Sequence, residues 1–156
     1  MAALAADVNV SFIGSYKSVP LSANAADTYY KGAIVYIDTG GGVQVTAAAG
    51  DRPVGIVPYK QVITAAAQSV EVVVDALVWL PVGTNIAAAD EGDYLVNDGP
   101  TDTDNPADLV AGLDITAAAN DAVVGKILKV TSTQMLVSIH PSFTGHLYVA
   151  TAGWGG

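Results

Sequence analysis

A fifteen-residue phrase is written twice in this chain. Val43-Gln-Val-Thr-Ala-Ala-Ala-Gly-Asp-Arg-Pro-Val-Gly-Ile-Val57 returns as Leu113-Asp-Ile-Thr-Ala-Ala-Ala-Asn-Asp-Ala-Val-Val-Gly-Lys-Ile127, without a gap and at a constant offset of 70. Thr46, Ala47, Ala48, Ala49, Asp51, Val54 and Gly55 meet identical partners in Thr116, Ala117, Ala118, Ala119, Asp121, Val124 and Gly125. Looser echoes stand at 63–67 and 85–90. Three alanines cannot carry the unfavourable nucleation of a helix, and these are flanked by β-branched residues and by Gly, Asn or Asp. Each copy therefore predicts a short strand, a small-residue corner and a second strand. The Asp is placed to hydrogen-bond backbone at the corner, and the Gly to mark a bulge or a close approach of two backbones. Two long copies are too few for an array of stacked repeats. An internally duplicated β-domain accounts for them.

Strands are predicted at 8–13, 33–38, 43–46, 54–57, 70–74, 76–80, 94–97, 110–115, 123–130, 135–140 and 147–150. All are short, rich in β-branched residues and bounded by turn signals. Asp38-Thr-Gly-Gly-Gly42 reads as a hairpin connection. With 156 residues the chain is long enough to bury a core as one domain. The expected fold class is all-β, a barrel or sandwich of short strands with an internal duplication. Residues 31–144 form the expected barrel-like core domain. Residues 1–30 read as an extended N-terminal arm, because 14–28 is polar, irregular and carries Pro20. Residues 145–156 read as a C-terminal tail. Of eleven aromatic residues, Phe12, Tyr16, Tyr29 and Tyr30 lie in the arm, and Phe143, Tyr148 and Trp154 lie at or beyond the end of the core. Aromatics bury large areas and are enriched at interface anchors. Phe12, Tyr16, Tyr29, Tyr30 and Trp154 are accordingly the candidate contacts to a partner or a sister subunit.

Charge narrows the function. Charged residues make up 13% of the chain, about half of the usual share, while 51% is hydrophobic and mostly small. A surface so poor in charge is expected to be covered in part by other subunits. The net charge is −9, and Asp90, Glu91, Asp93, Asp98, Asp102, Asp104 and Asp108 contribute most of it in a stretch without Lys or Arg. Nucleic-acid binding needs the opposite sign, as does adhesion to an anionic membrane. The most apolar stretch, 70–82, is interrupted by Glu71 and Asp75 and is too short to span a bilayer. The first seven residues lack the basic start and long apolar run of a signal peptide, so the chain reads as a soluble protein folded inside a cell.

Candidate chemistry is sparse. With no Cys there is neither a disulfide framework nor thiolate chemistry. His140 and His146 flank Pro141, and further metal ligands are not at hand in sequence. The loop from Asp98 to Asp108 is rich in oxygen but lacks the sixth-position Gly and the terminal Glu of an EF-hand. It reads as a solvated acidic loop. Gly40-Gly-Gly42 is not followed by Lys-Ser/Thr and opens no helix, and no Gly-x-Ser-x-Gly elbow is present. No catalytic residue, cofactor or metal is expected.

From Lys31-Gly-Ala-Ile-Val35 to Val137-Ser-Ile139 the chain resembles the bacteriophage capsid decoration, or cement, proteins. The resemblance rests on Gly32–Val35, Pro53–Val57, Val70–Ala76, Gly92–Leu95, Val124–Leu128 and Leu136–Ile139. It covers roughly residues 31–140, contains no catalytic signature, and leaves the arm and the Trp154 tail outside. It implies a barrel-like domain on the exterior of a virion, made in the host cytoplasm, often a homotrimer at local threefold positions. Its partners would be the major capsid protein and further copies of itself, and its effect would be stabilisation of the shell. The alternative is a β-rich tail, fibre or surface-layer module that binds a receptor or glycan.

Overall fold

The computed structural model describes residues 4–45, 51–83, 86–97, 105–111 and 122–146. The fold is all-β. Eleven strands are described: β1 (Ser11–Ser22), β2 (Asp27–Tyr29), β3 (Ile34–Ile37), β4 (Val43–Gln44), β5 (Arg52–Ile56), β6 (Gln61–Ile63), β7 (Ser69–Pro81), β8 (Tyr94–Val96), β9 (Val110–Ala111), β10 (Val123–Val130) and β11 (Gln134–Ile139). The helical turns among the described residues are two single 3-10 turns, Ala88–Asp90 and Pro106–Asp108. Nine strands join in one sheet that curls into a half-barrel, and β2 pairs with β6 in a separate ribbon.

The duplication read in sequence is a duplication of pairing. β3 pairs antiparallel with β4 and with β5, and β5 pairs with β7. β8 pairs antiparallel with β9 and with β10, and β10 pairs with β11. Each module is thus a hairpin, a return strand laid on the hairpin's first strand, and a closing strand. The closing strands β7 and β11 pair antiparallel and join the modules. Gly55 and Gly125 occupy the same place in each return strand, opposite Val35 and Leu95 respectively. The first hairpin turns at Asp38–Gly42, where Gly41 donates to the Asp38 carbonyl at 2.9 Å and both Gly41 and Gly42 have positive φ. The two corners that carry the repeated Ala runs, 46–50 and 112–121, lie outside the described residues. The pairing of β9 is found at Val110 and Ala111, three residues ahead of where an offset of 70 from β4 would put it.

β7 is the centre of the molecule. β1 runs antiparallel along one edge of it from Ser69 to Trp79. The other edge is shared by β5, which meets it at Val73, and β11, which takes Ala76 to Pro81. Sequence patterning divided this strand at Asp75. The structure keeps it continuous and puts a register shift there, opposite Lys17. Such a bulge changes which face the following residues point to. Before it, Val70, Val72 and Val74 pack with the second of two cores, while Val73 belongs to the first. After it, Ala76, Val78 and Leu80 belong to the first core. Leu77 and Trp79 therefore continue the face that Val70, Val72 and Val74 began.

The first core fills the concave side of the half-barrel with Ile34, Tyr36, Ile56, Leu95, Ile127, Met135, Val137 and Ile139 among others. The second, around Tyr29, Ala33, Val35, Val57 and Ile63, is covered by the β2–β6 ribbon. Residues 14–22, expected as an irregular part of the arm, continue the strand predicted at 8–13 and with 11–13 form β1. No residue of β1 is fully buried, and Phe12 and Leu21 pack in part against the first and second cores respectively, so no regular apolar alternation marks it. Pro20 is tolerated because β1 is an edge strand, where a missing amide donor costs no ladder bond.

Candidate docking surface

Strand registers assemble the outer face beyond the second core. Residues directly opposite in an antiparallel pair share a face. One row runs Ser11–Trp79–Leu136–Lys129 across β1, β7, β11 and β10. The next runs Ile13–Leu77–Ser138–Lys126–Tyr94 and reaches β8. Ile13 is 45% exposed and Leu77 38%, while Trp79 and Leu136 are partly exposed. Leu128, at the bulge between the Ile127 and Lys129 pairings, is 42% exposed. An exposed sheet face is ordinarily polar. Here the second core ends at Val74 and the apolar face goes on without cover.

The borders of this face are set by three local structures. At its β8 end the turn after β11 folds back: Val123 donates to the His146 carbonyl at 2.8 Å, Gly145 donates to the Val123 carbonyl at 2.7 Å, and the Thr144 hydroxyl donates to the Val124 carbonyl at 2.8 Å. This brings the Phe143 ring to 5.9 Å from that of Tyr94, over a small cluster with Val96 and Val123. At its second border Asp75 stands 3.8 Å from His140 Nε2, and His140 Nδ1 lies 2.7 Å from the Ser142 hydroxyl. Both ring nitrogens of His140 are thus engaged by neighbours. Beyond it a shallow groove is lined by Arg52, Val54, Val74 and His146. The third border is β1, whose outer edge has no strand partner among the described residues.

The residues proposed from sequence as contacts separate on this map. Phe12 packs partly against the first core, and Tyr16 lies on it with ring centroids 4.6 Å apart and 43% exposed. Tyr29 is a core residue, 1% exposed, whose hydroxyl donates to the Val43 carbonyl at 2.8 Å. Burial, and then the charge of Asp27, push its phenol from the ordinary 10.0 to about 12. Tyr30 is half-buried, with the Lys60 ammonium 5.4 Å from its ring centroid. Trp154 lies outside the described residues. Of the acidic stretch, Asp90 accepts from the Ala87 amide and Glu91 from the Val130 amide, each at 2.7 Å, and Asp108 is exposed. Asp98, Asp102 and Asp104 lie outside the described residues. Among those described, no group of three or more His, Asp or Glu is arranged to hold a metal.

Leu77, Trp79, Leu136, Lys126 and Lys129 were missed from sequence. Their signal was present: the stretch from Val70 to Leu80 is apolar on both alternations, which predicts burial on both faces. Comparison with known protein families, characterised proteins and solved structures returns no match.

Proposed function

We propose that this is a non-catalytic structural protein that docks on the outside of an assembled viral capsid as an oligomer and stabilises the shell. The observation that carries the proposal is the apolar face built on Ile13, Leu77, Trp79 and Leu136, which neither of the two cores covers among the described residues. Contiguous exposed apolar area marks a protein contact surface more often than an accident of packing. The decoration-protein resemblance over residues 31–140 supplies the kind of partner. A cement protein adds contacts across seams that already exist, and an oligomer multiplies the effective affinity of each weak contact.

The test mixes purified protein with undecorated heads, sediments them, and heats the decorated particles. Co-sedimentation together with DNA retention to a higher temperature is expected. Heads that neither bind the protein nor gain heat resistance would end the proposal. A receptor- or glycan-binding role has one feature in its favour, the exposed Tyr59 next in sequence to Lys60, which stacks on Tyr30. Glycan binding that disappears in Tyr59→Ala would favour it.

A further inference from the structure

We infer that the outer face carrying Ile13, Leu77, Trp79 and Leu136 is the side turned toward the shell, and that its occupant is a protein segment with apolar side chains bordered by carboxylates. This rests on the proposed docking function and names the chemistry of its partner. The chain has only six Lys and Arg against fifteen Asp and Glu. Two of the six, Lys126 and Lys129, stand on this one face, Lys129 directly opposite Leu136 and Lys126 between Ser138 and Tyr94. Neither makes an ion pair among the described residues. The two rows that make the face contain no Asp or Glu. An acidic protein thus presents here apolar side chains and two lysines with no acid among them. A carboxylate-bordered apolar partner complements both features, and complementary charge governs partner choice and association rate.

A second copy of the chain fits this face poorly. An isologous contact sets the same patch on both subunits, so two copies would enclose four lysines between them and provide no carboxylate from the patch itself. Enclosing unpaired charge is costly. The shell is therefore a better occupant than a sister subunit, and self-association would use another surface.

Three measurements on the full-length protein and undecorated heads test this. In K126E/K129E, binding to heads at low salt should fall at least ten-fold and lose most of its salt dependence, since the attraction is screened over about 10 Å at 0.1 M salt. Leu77→Gln should also weaken binding, with the circular dichroism spectrum and the oligomeric state by sedimentation velocity unchanged in both variants. Hydroxyl-radical footprinting of wild-type protein should show Trp79 and Leu136 protected on decorated heads and labelled in free protein, which needs no variant to fold. Equal binding by K126E/K129E, or equal labelling of Trp79 on and off heads, would overturn the inference while leaving decoration intact. Loss of self-association in either variant would assign the face to a sister subunit and overturn it as well. If wild-type protein does not bind heads, decoration itself fails, and this inference fails with it.

Discussion

A Cβ on Gly55 would collide with the backbone carbonyl of Val73, the residue through which β5 meets β7. The equivalent glycine of the second module is under the same constraint. A Cβ on Gly125 would stand 2.5 Å from Val137 Cγ1 and 2.7 Å from the Ser138 carbonyl, on the strand that closes its own module. The repeated Gly therefore lets each return strand press against its neighbour, which is why it survives in both copies of the phrase when Gly50 is matched by Asn120.

Gly55→Ala and Gly125→Ala should each destabilise strongly, by about 3 kcal/mol or more, because backbone stands in the way and overpacking alone commonly costs 1–3 kcal/mol. Gly92 has φ +96 but nothing within 4 Å of a built Cβ. Gly92→Ala should therefore cost only the left-handed backbone strain, about 1–2 kcal/mol. Urea denaturation of the three variants checks the order. A Gly55→Ala protein as stable as wild type would mean that β5 does not lie on β7 as described.

Removing residues 1–30 should abolish the fold rather than free a core of an arm. Val10, Ala23 and Tyr29 are buried in the two cores, and β1 occupies one edge of β7 from Ser69 to Trp79. Stripping it would expose a long apolar strand edge, which is a template for aggregation. The expected product is an aggregated or non-cooperatively melting chain, by size exclusion and thermal denaturation. A truncated protein that melts cooperatively near the wild-type temperature would show β1 to be an ornament.

That expectation differs from what residues 1–30 suggest by themselves, and the difference is physical. Where a strand has one face buried, its alternation announces it. β10 is found at Val123–Val130, as its pattern predicts, and the hairpin at Asp38–Gly42 follows from its glycines. β1 buries no residue fully, and the register shifts at Lys17 lie between Phe12, which packs on the first core, and Leu21, which packs on the second, so no single alternation announces it. β2 and β6, three residues each, are held by Tyr29 and Ile63 in the second core and leave no local signature. Of the docking face, the sequence shows apolar residues on both alternations of 70–80 but not which of them stay exposed. Leu77 and Trp79 alternate like Val70 and Val72, and which of them goes uncovered depends on where the β2–β6 ribbon comes to rest.

Stability should fall in alkali through Tyr29. Its folded pKa is raised from 10.0 to about 12 by burial, with Asp27 adding to the effect. The folded state therefore holds the phenol proton more tightly than the unfolded chain does. The contribution is fully present below pH 10, declines between 10 and about 12, and is lost above, a change of about 3 kcal/mol. Tyr29→Phe removes this titration and one of the two donors to the Val43 carbonyl, which keeps the Asn24 amide, and should cost about 0.5–1.5 kcal/mol at neutral pH. Denaturation midpoints of both proteins from pH 8 to 12 are the measurement. A midpoint that falls equally in Tyr29→Phe would assign the alkaline loss to another group.

The acidic stretch should be dispensable for docking. Asp108 is exposed, and Asp90 and Glu91 are engaged by backbone amides of the chain itself. Replacing Asp98, Asp102, Asp104 and Asp108 with Asn takes the net charge from −9 to −5. If the shell presents carboxylates to Lys126 and Lys129, those four charges are repelled by it. Their removal should leave dissociation from heads unchanged and raise the association rate modestly at low salt, an effect that fades as ionic strength rises. Binding kinetics on immobilised heads at two salt concentrations would resolve this. A faster dissociation in the Asn variant would put the acidic loop inside the contact and reverse the orientation, because carboxylates enclosed there would have to meet a basic shell.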